Sequence, residues 1–243
     1  MSPPSPFALV TPDIIFLPTP WAGEIEAYRT LFRKLHADAD FCQVAFGGLF
    51  GPVEWSDEET RRILIERDGA IRWGIRGMGD WALGMLPTDA EGRTAFHTLP
   101  GRLLRNEKEQ VRLVTGEAFD ELLRLTDRVQ WVGYTCVRDA TTAGGTITDT
   151  YVAGEEADLP PWEEMAEIRY GMDPGFTGRG IATRAAQVVM AWAVEERGVR
   201  RFIGATMKGN LASQRLLGRL GFKQSDTNYF KEEELGIEWT KDV

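Results

Sequence analysis

The run Tyr170-Gly-Met-Asp-Pro-Gly-Phe-Thr-Gly-Arg-Gly-Ile-Ala-Thr183 holds the residues best placed to do chemistry in this 243-residue chain. It reads as the end of a strand, a glycine-bearing loop and the first turn of a long helix. The first amides of a helix lack an intrahelical acceptor, and the helix dipole adds partial positive charge there. Gly178 and Gly180 carry no side chain, so an anion can approach the backbone closely. A pyrophosphate is the guest that this pattern implies.

Three elements must hold that loop in place. Residues 166–172 predict a strand. Gly180 to Arg197 predicts a helix whose buried stripe is Ile181, Ala185, Val188, Val189 and Trp192, ended by Gly198. Residues 201–206 predict the next strand. Such a βαβ unit crosses over right-handed and sets its two strands parallel. Asn210 then caps a short helix through Leu220, and Gly221 ends it. Residues 222–230 and 235–240 read as two closing antiparallel strands.

Upstream the signals are sparser. Residues 1–9 read as a loose Pro-rich arm, and 10–243 as a single domain. Residues 13–17 predict a short strand and Trp21 to His36 a helix with one apolar face. Ser56 opens a capping box whose helix runs to about Gly74. Residues 81–86 and 129–137 predict strands, and 116–125 a short helix. Residues 87–110 read as a long loop or insertion, and 139–145 as a turn. A further strand is expected over 146–152. The acidic stretch 154–164 has two readings, a solvated insertion or a flap that attracts a cationic substrate.

Lys plus Arg number 28 and Asp plus Glu 37, a net charge of −9, which argues against generalised nucleic-acid binding. The acidic field suits a cationic substrate such as an amine, or serves solubility alone. Cys42 and Cys136 have neither metal-ligand nor disulfide spacing, so no metal is expected. The N-terminus lacks the pattern of a secretory signal, and no apolar run approaches bilayer length. A cytoplasmic protein without membrane contact is the expectation.

Thr177-Gly-Arg-Gly-Ile-Ala182 resembles the acetyl-CoA loop of the GNAT acyltransferase superfamily, usually Gln/Arg-x-x-Gly-x-Gly/Ala. Asn210-Leu-Ala-Ser213, followed by Leu216-Leu-Gly-Arg-Leu-Gly-Phe222, resembles that family's second signature. Glu167-Ile-Arg-Tyr170 is similar to the strand that precedes the loop in the branch acetylating the N-termini of ribosomal proteins. The resemblance covers about residues 129–225. It implies an α/β fold with a mixed central twisted sheet, one splayed parallel strand pair and helices on both faces.

The same resemblance implies acetyl-CoA as co-substrate, bound by Tyr170, Met172, Thr177, Gly178, Arg179, Gly180, Ile181, Ala182 and Asn210. Capping alone also accounts for Asn210, and the two roles are compatible. Arg179 and Arg184 add local positive charge or stand as solvated arginines. The acceptor it implies is a small amine or a peptide N-terminus, reached by direct transfer in a ternary complex. Glu167 is the candidate base, with Glu163, Glu164 and Tyr134 as fallbacks; a structural ion pair is the other account of Glu167.

The sequence departs from the family at two places. Thr177 replaces the usual Gln or Arg, leaving the backbone amides to bind the phosphates. Leu217 stands where many relatives carry a tyrosine general acid, and Ser213 is the substitute that the ribosomal-protein branch suggests. His36 ends a helix, where a cation suits the dipole, and His97 is the other histidine; neither receives a role. A catalytically silent acyl-CoA-binding regulator is the alternative function. A dinucleotide oxidoreductase fits less well, because Thr183 replaces the third glycine and no acid ends the next strand. Monomer and homodimer both stay open.

Overall fold

A computed structural model describes residues 5–46, 51–106, 108–141, 160–226 and 236–243. Among these residues, ten strands form one sheet: β1 (Phe7–Val10), β2 (Ile14–Pro18), β3 (Gly79–Met85), β4 (Arg102–Leu103), β5 (Arg112–Thr115), β6 (Gln130–Asp139), β7 (Ala166–Met172), β8 (Arg201–Met207), β9 (Lys223–Ser225) and β10 (Gly236–Asp242). Their spatial order is β4-β5-β1-β2-β3-β6-β7-β8-β10-β9. Every pairing is antiparallel except β7 with β8. The helices are α1 (Thr19–Ala22), α2 (Glu26–Ala37), α3 (Ala39–Phe46), α4 (Asp57–Arg62), α5 (Gly74–Arg76), α6 (Ala90–His97), α7 (Glu117–Arg124), α8 (Ile181–Arg197) and α9 (Leu211–Leu220).

Two apolar clusters, one on each sheet face, follow from the alternation of side chains along the strands. On one face α8 presses Ala185, Val188, Val189 and Trp192 against Leu83, Val132, Ile168 and Phe202. On the other, Tyr28, Leu31, Phe32 and Leu35 of α2 pack with Ile15, Ala82 and Trp131. The mixed sheet with helices on both faces is the architecture that the sequence led us to expect.

Under α8, four aromatic rings interlock. Trp81 meets Trp192 edge-on at 4.8 Å, Phe7 stacks on Trp192 at 5.6 Å, and Trp73 meets Trp81 at 5.2 Å. Trp192 is 1 % exposed, and truncating a ring so enclosed costs about 3–5 kcal/mol. We therefore expect Trp192→Ala to lower the melting temperature by roughly 6–20 °C. It lies roughly 16 Å along the helix from Ile181, so the change should register as lost stability in a thermal melt with the start of the helix left in place.

Several elements differ from the sequence expectation. The arm expected over residues 1–9 is overturned at residues 7–9, because Phe7–Val10 is a buried strand between β2 and β5; residues 1–4 lie outside the described residues. The helix expected over 21–36 is broken into α1 and α2 at Gly23, where an added Cβ would meet Ile65 Cγ1 at 2.7 Å. The loop expected over 87–110 contains α6, capped by Asp89 accepting from the Gly92 amide, and the short β4. The helix opened by Ser56 runs to Arg76, two residues past the expected end at about Gly74, with π-helical turns at Ile63–Arg67 and Gly69–Trp73. The strand expected over 146–152 lies outside the described residues, as do 154–159 of the acidic stretch. Within the rest of that stretch, Trp162–Glu164 is one 3-10 turn.

Candidate active site

The parallel register between β7 and β8 ends early. Ala166 pairs with Phe202 and Glu167 with Ile203, yet β7 runs on to Met172 and β8 to Met207. The Asp173 amide donates to the Val132 carbonyl at 2.8 Å. Antiparallel pairs alternate, so Gly171, Arg169 and Glu167 turn their backbone groups toward β6, and Ile168, Tyr170 and Met172 turn theirs toward β8. Beyond Glu167 those groups face the splay.

The glycine loop opens at the same end. Gly178 and Gly180 have φ of 74° and 77°, the left-handed region that favours glycine. Gly180 is the N-cap of α8 and supplies no side-chain cap. Among the described residues, no acceptor takes the amides of residues 178–183, whereas the next amide, Arg184, bonds to the Gly180 carbonyl. Asp173 supports the approach to the loop: it caps the turn at Gly175 and pairs with Lys34 Nζ at 2.6 Å.

A cleft of about 1770 Å³ joins loop, splay and the α2 side of the sheet. That exceeds the ~300–1,000 Å³ of a site for one small ligand and leaves room for two substrates. Of the residues singled out from sequence, Glu167, Tyr170, Met172, Thr177, Gly178, Gly180, Ile181, Ala182, Asn210 and Ser213 line it. Arg179 is not among the lining residues, and its guanidinium sits 5.0 Å over the Phe176 ring. Arg184 is held by Asp13 and Glu109, at 2.6 and 2.8 Å. Glu163 and Glu164 are not among the lining residues, and Glu164 pairs with Arg200.

Each candidate has a definite local role. Thr177 Oγ1 donates to the Pro174 carbonyl. Asn210 Oδ1 accepts from the Ser213 amide, and its Nδ2 donates to the Val44 carbonyl across the cleft. The Tyr170 hydroxyl lies 3.5 Å from the Ser213 carbonyl, linking β7 to α9, and burial pushes that phenol up to about 12. Leu217, one turn further along α9, is buried in the core.

Glu167 is 3 % exposed and accepts from Arg138 Nε at 2.7 Å, directly opposite on β6. The adjacent guanidinium favours the charged carboxylate, burial opposes it, and the ion pair occupies the oxygen that would have to take a proton. Tyr134 crosses β7 above Gly171, where an added Cβ would come within 2.5 Å of the ring. Burial pushes Tyr134 up to about 12, so it stays protonated at neutral pH and is unsuited to accept a proton.

Sequence reasoning gave no role to three lining groups on that face: His36, the Asp68–Arg72–Asp80 set and Arg138. Arg72 bonds Asp68 at 3.3 Å and also Asp80. Burial raises Asp68 to about 7, and the guanidinium opposes it; Asp80 stays near 2 because Arg72 and Arg138 outweigh its burial. The i,i+4 spacing of Asp68 and Arg72 was the one signal present in sequence.

The family model described as acetyltransferase (GNAT) domain matches residues 105–223. An acetyltransferase from Agrobacterium tumefaciens str. C58 is similar in fold, with a TM-score of 0.56 at 15 % identity over 100 % of this chain and 96 % of that one. A ribosomal L7/L12 alpha-N-protein acetyltransferase in complex with coenzyme A gives 0.52 at 13 % identity, over 95 % and 94 %. No curated protein matches the sequence. Residues 105–223 thus carry the match to a GNAT acetyltransferase domain, and the fold of the chain is that of the GNAT acetyltransferases it resembles. Among the described residues no helix is long and apolar enough to cross a membrane, and no group of three potential metal ligands occurs.

Proposed function

We propose that the protein moves an acetyl group from acetyl-CoA to a primary amine, a small molecule or a peptide N-terminus, by direct transfer in a ternary complex. The observation that carries this reading is the set of unclaimed amides at the start of α8, opening onto the β7–β8 splay. The diphosphate would take the amides of residues 178–182, each charge-assisted bond contributing about 1.5–3 kcal/mol. The pantetheine arm would run along the backbone of Tyr170 and Met172, with Asn210 on the facing wall. The thioester then lies near Gly171, and the amine arrives from the α2 side. That a structural neighbour is a ribosomal-protein acetyltransferase holding coenzyme A supports both halves of the reading.

The amine nitrogen attacks the thioester carbon, the C–S bond breaks, and the thiolate takes a proton. Ser213 is the proposed donor to the thiolate, standing beside Tyr170 at the start of α9. Glu167, paired with Arg138, fixes the strand pair beneath the acetyl group and sets the local field. We expect acetyl-CoA, but not NAD, to raise the melting temperature of the full chain. A panel of amines and short peptides, read by mass spectrometry, should then show a gain of one acetyl group. No shift with acetyl-CoA would remove the reading. A shift without any acetylated product would favour a silent acyl-CoA binder, the case left standing by Leu217.

A further inference from the structure

We infer that His36 is the proton acceptor for the incoming amine. This rests on the acetyl-transfer reading and adds to it the base that Glu167, tied to Arg138, is poorly suited to be. His36 lies in the last turn of α2 and lines the cleft on the α2 side, the side assigned to the amine in the acetyl-transfer reading. Its ring is fixed by its neighbours: Phe32 stacks on it at 4.1 Å, Trp55 lies at 5.1 Å, Phe41 at 6.1 Å, and Tyr134 stacks at 6.3 Å. Tyr134 is the ring that crosses β7 at Gly171, so imidazole, phenol and the splay are in sequence across the cleft.

The tautomer follows from one hydrogen bond. Nδ1 is 2.9 Å from the Phe32 carbonyl, which can only accept, so Nδ1 carries the proton and Nε2 is the basic nitrogen. Charges bear on the ring from every side. Burial, the largest effect, lowers its pKa from the ordinary 6.5; the Phe32 carbonyl and Asp80 of β3 push it up; Arg67 of the π-helical turn and Arg169 of β7 push it down. The helix terminus, which would favour a cation, does not prevail over burial. The net direction is downward, which favours the neutral imidazole at neutral pH.

The balance is simple. An alkylammonium carries three protons and the amide product one. Nε2 takes one proton before attack; the second leaves the nitrogen as the C–S bond breaks and replaces the one that Ser213 gives to the thiolate. The imidazolium then returns its proton to solvent.

The chain has only two histidines, so proton NMR of the full protein resolves the titration, with His97→Gln to assign it. The kinetic probes are acetyl-CoA with spermidine and with a short peptide beginning in serine. We expect the His36 midpoint below 6.5 to coincide with the acid limb of kcat. His36→Asn retains a donor to the Phe32 carbonyl but has no base. It should lower kcat by about 100-fold or more, abolish the acid limb, and leave acetyl-CoA affinity within about twofold. A wild-type acid limb in that variant, or a loss confined to KM, overturns the inference and leaves acetyl transfer standing. If the variant fails to fold, a mismatch between the wild-type NMR midpoint and the wild-type acid limb overturns it. Absence of turnover by the wild type on both probes removes acetyl transfer to these amines and the inference with it.

Discussion

Gly180→Val is expected to lower acetyl-CoA affinity by 100-fold or more while the protein stays folded. Gly180 has φ 77° and ψ −1°, and a Cβ there meets no heavy atom within 4 Å. The substitution is therefore strained by its backbone but not blocked by its neighbours. The left-handed conformation costs an L-residue about 1–2 kcal/mol, or roughly 2–8 °C of melting temperature for a chain of this size. The added methyls enter the cleft, because Gly180 lines it. They keep the diphosphate from the amides that follow. Losing two charge-assisted bonds at about 1.5–3 kcal/mol each corresponds to at least 100-fold in Kd. Gly198 supplies the control: it ends the same helix at φ 72°, also with nothing within 4 Å of an added Cβ, and it is not among the cleft residues. Gly198→Val should show the same strain without the loss of binding. Calorimetric titration of both variants separates the two effects. Wild-type affinity in Gly180→Val would remove the loop as the cofactor site.

The loop and helix proposed to hold the cofactor were legible as structure because their signals are local. A capping glycine, a 3.6-residue stripe and a closing glycine specify α8 within its own length, and the flanking strands follow from composition. The α2 side of the cleft was not, because it is assembled from distant segments. β1 is four buried residues with no alternation to reveal it, and it pairs with β5 more than a hundred positions away. The break at Gly23 answers a close approach by Ile65, which no pattern around Gly23 records. His36 reads in sequence as the last turn of an amphipathic helix; only the fold brings Trp55 and Tyr134 against it. Glu167 was recognised by type and position, but its partner depends on register. Arg138 faces it only because the β6–β7 ladder pairs those two positions, and a one-residue slip would send both side chains to opposite faces.

That pairing makes Glu167→Gln the second large effect. Arg138 and Glu167 are each 3 % exposed, and their contact is 2.7 Å. Neutralising one member of so buried a pair leaves a charge without its main counter-ion and costs about 3–5 kcal/mol. We expect the melting temperature to fall by roughly 6–20 °C. Replacing both members by apolar residues of similar volume, Arg138→Met with Glu167→Leu, should recover part of the loss: the two charges leave together, while Asp80 keeps Arg72 and gives up only its second guanidinium neighbour. Turnover supplies the second readout. If Glu167 organises the strands and His36 takes the proton, the Gln variant loses the same factor of kcat at pH 6.5 and at pH 9. A proton acceptor would behave otherwise: its loss matters most where the substrate is ammonium and fades as solvent supplies neutral amine. A deficit concentrated at the lower pH, in a variant still folded at the assay temperature, would therefore return the base to Glu167 and displace His36.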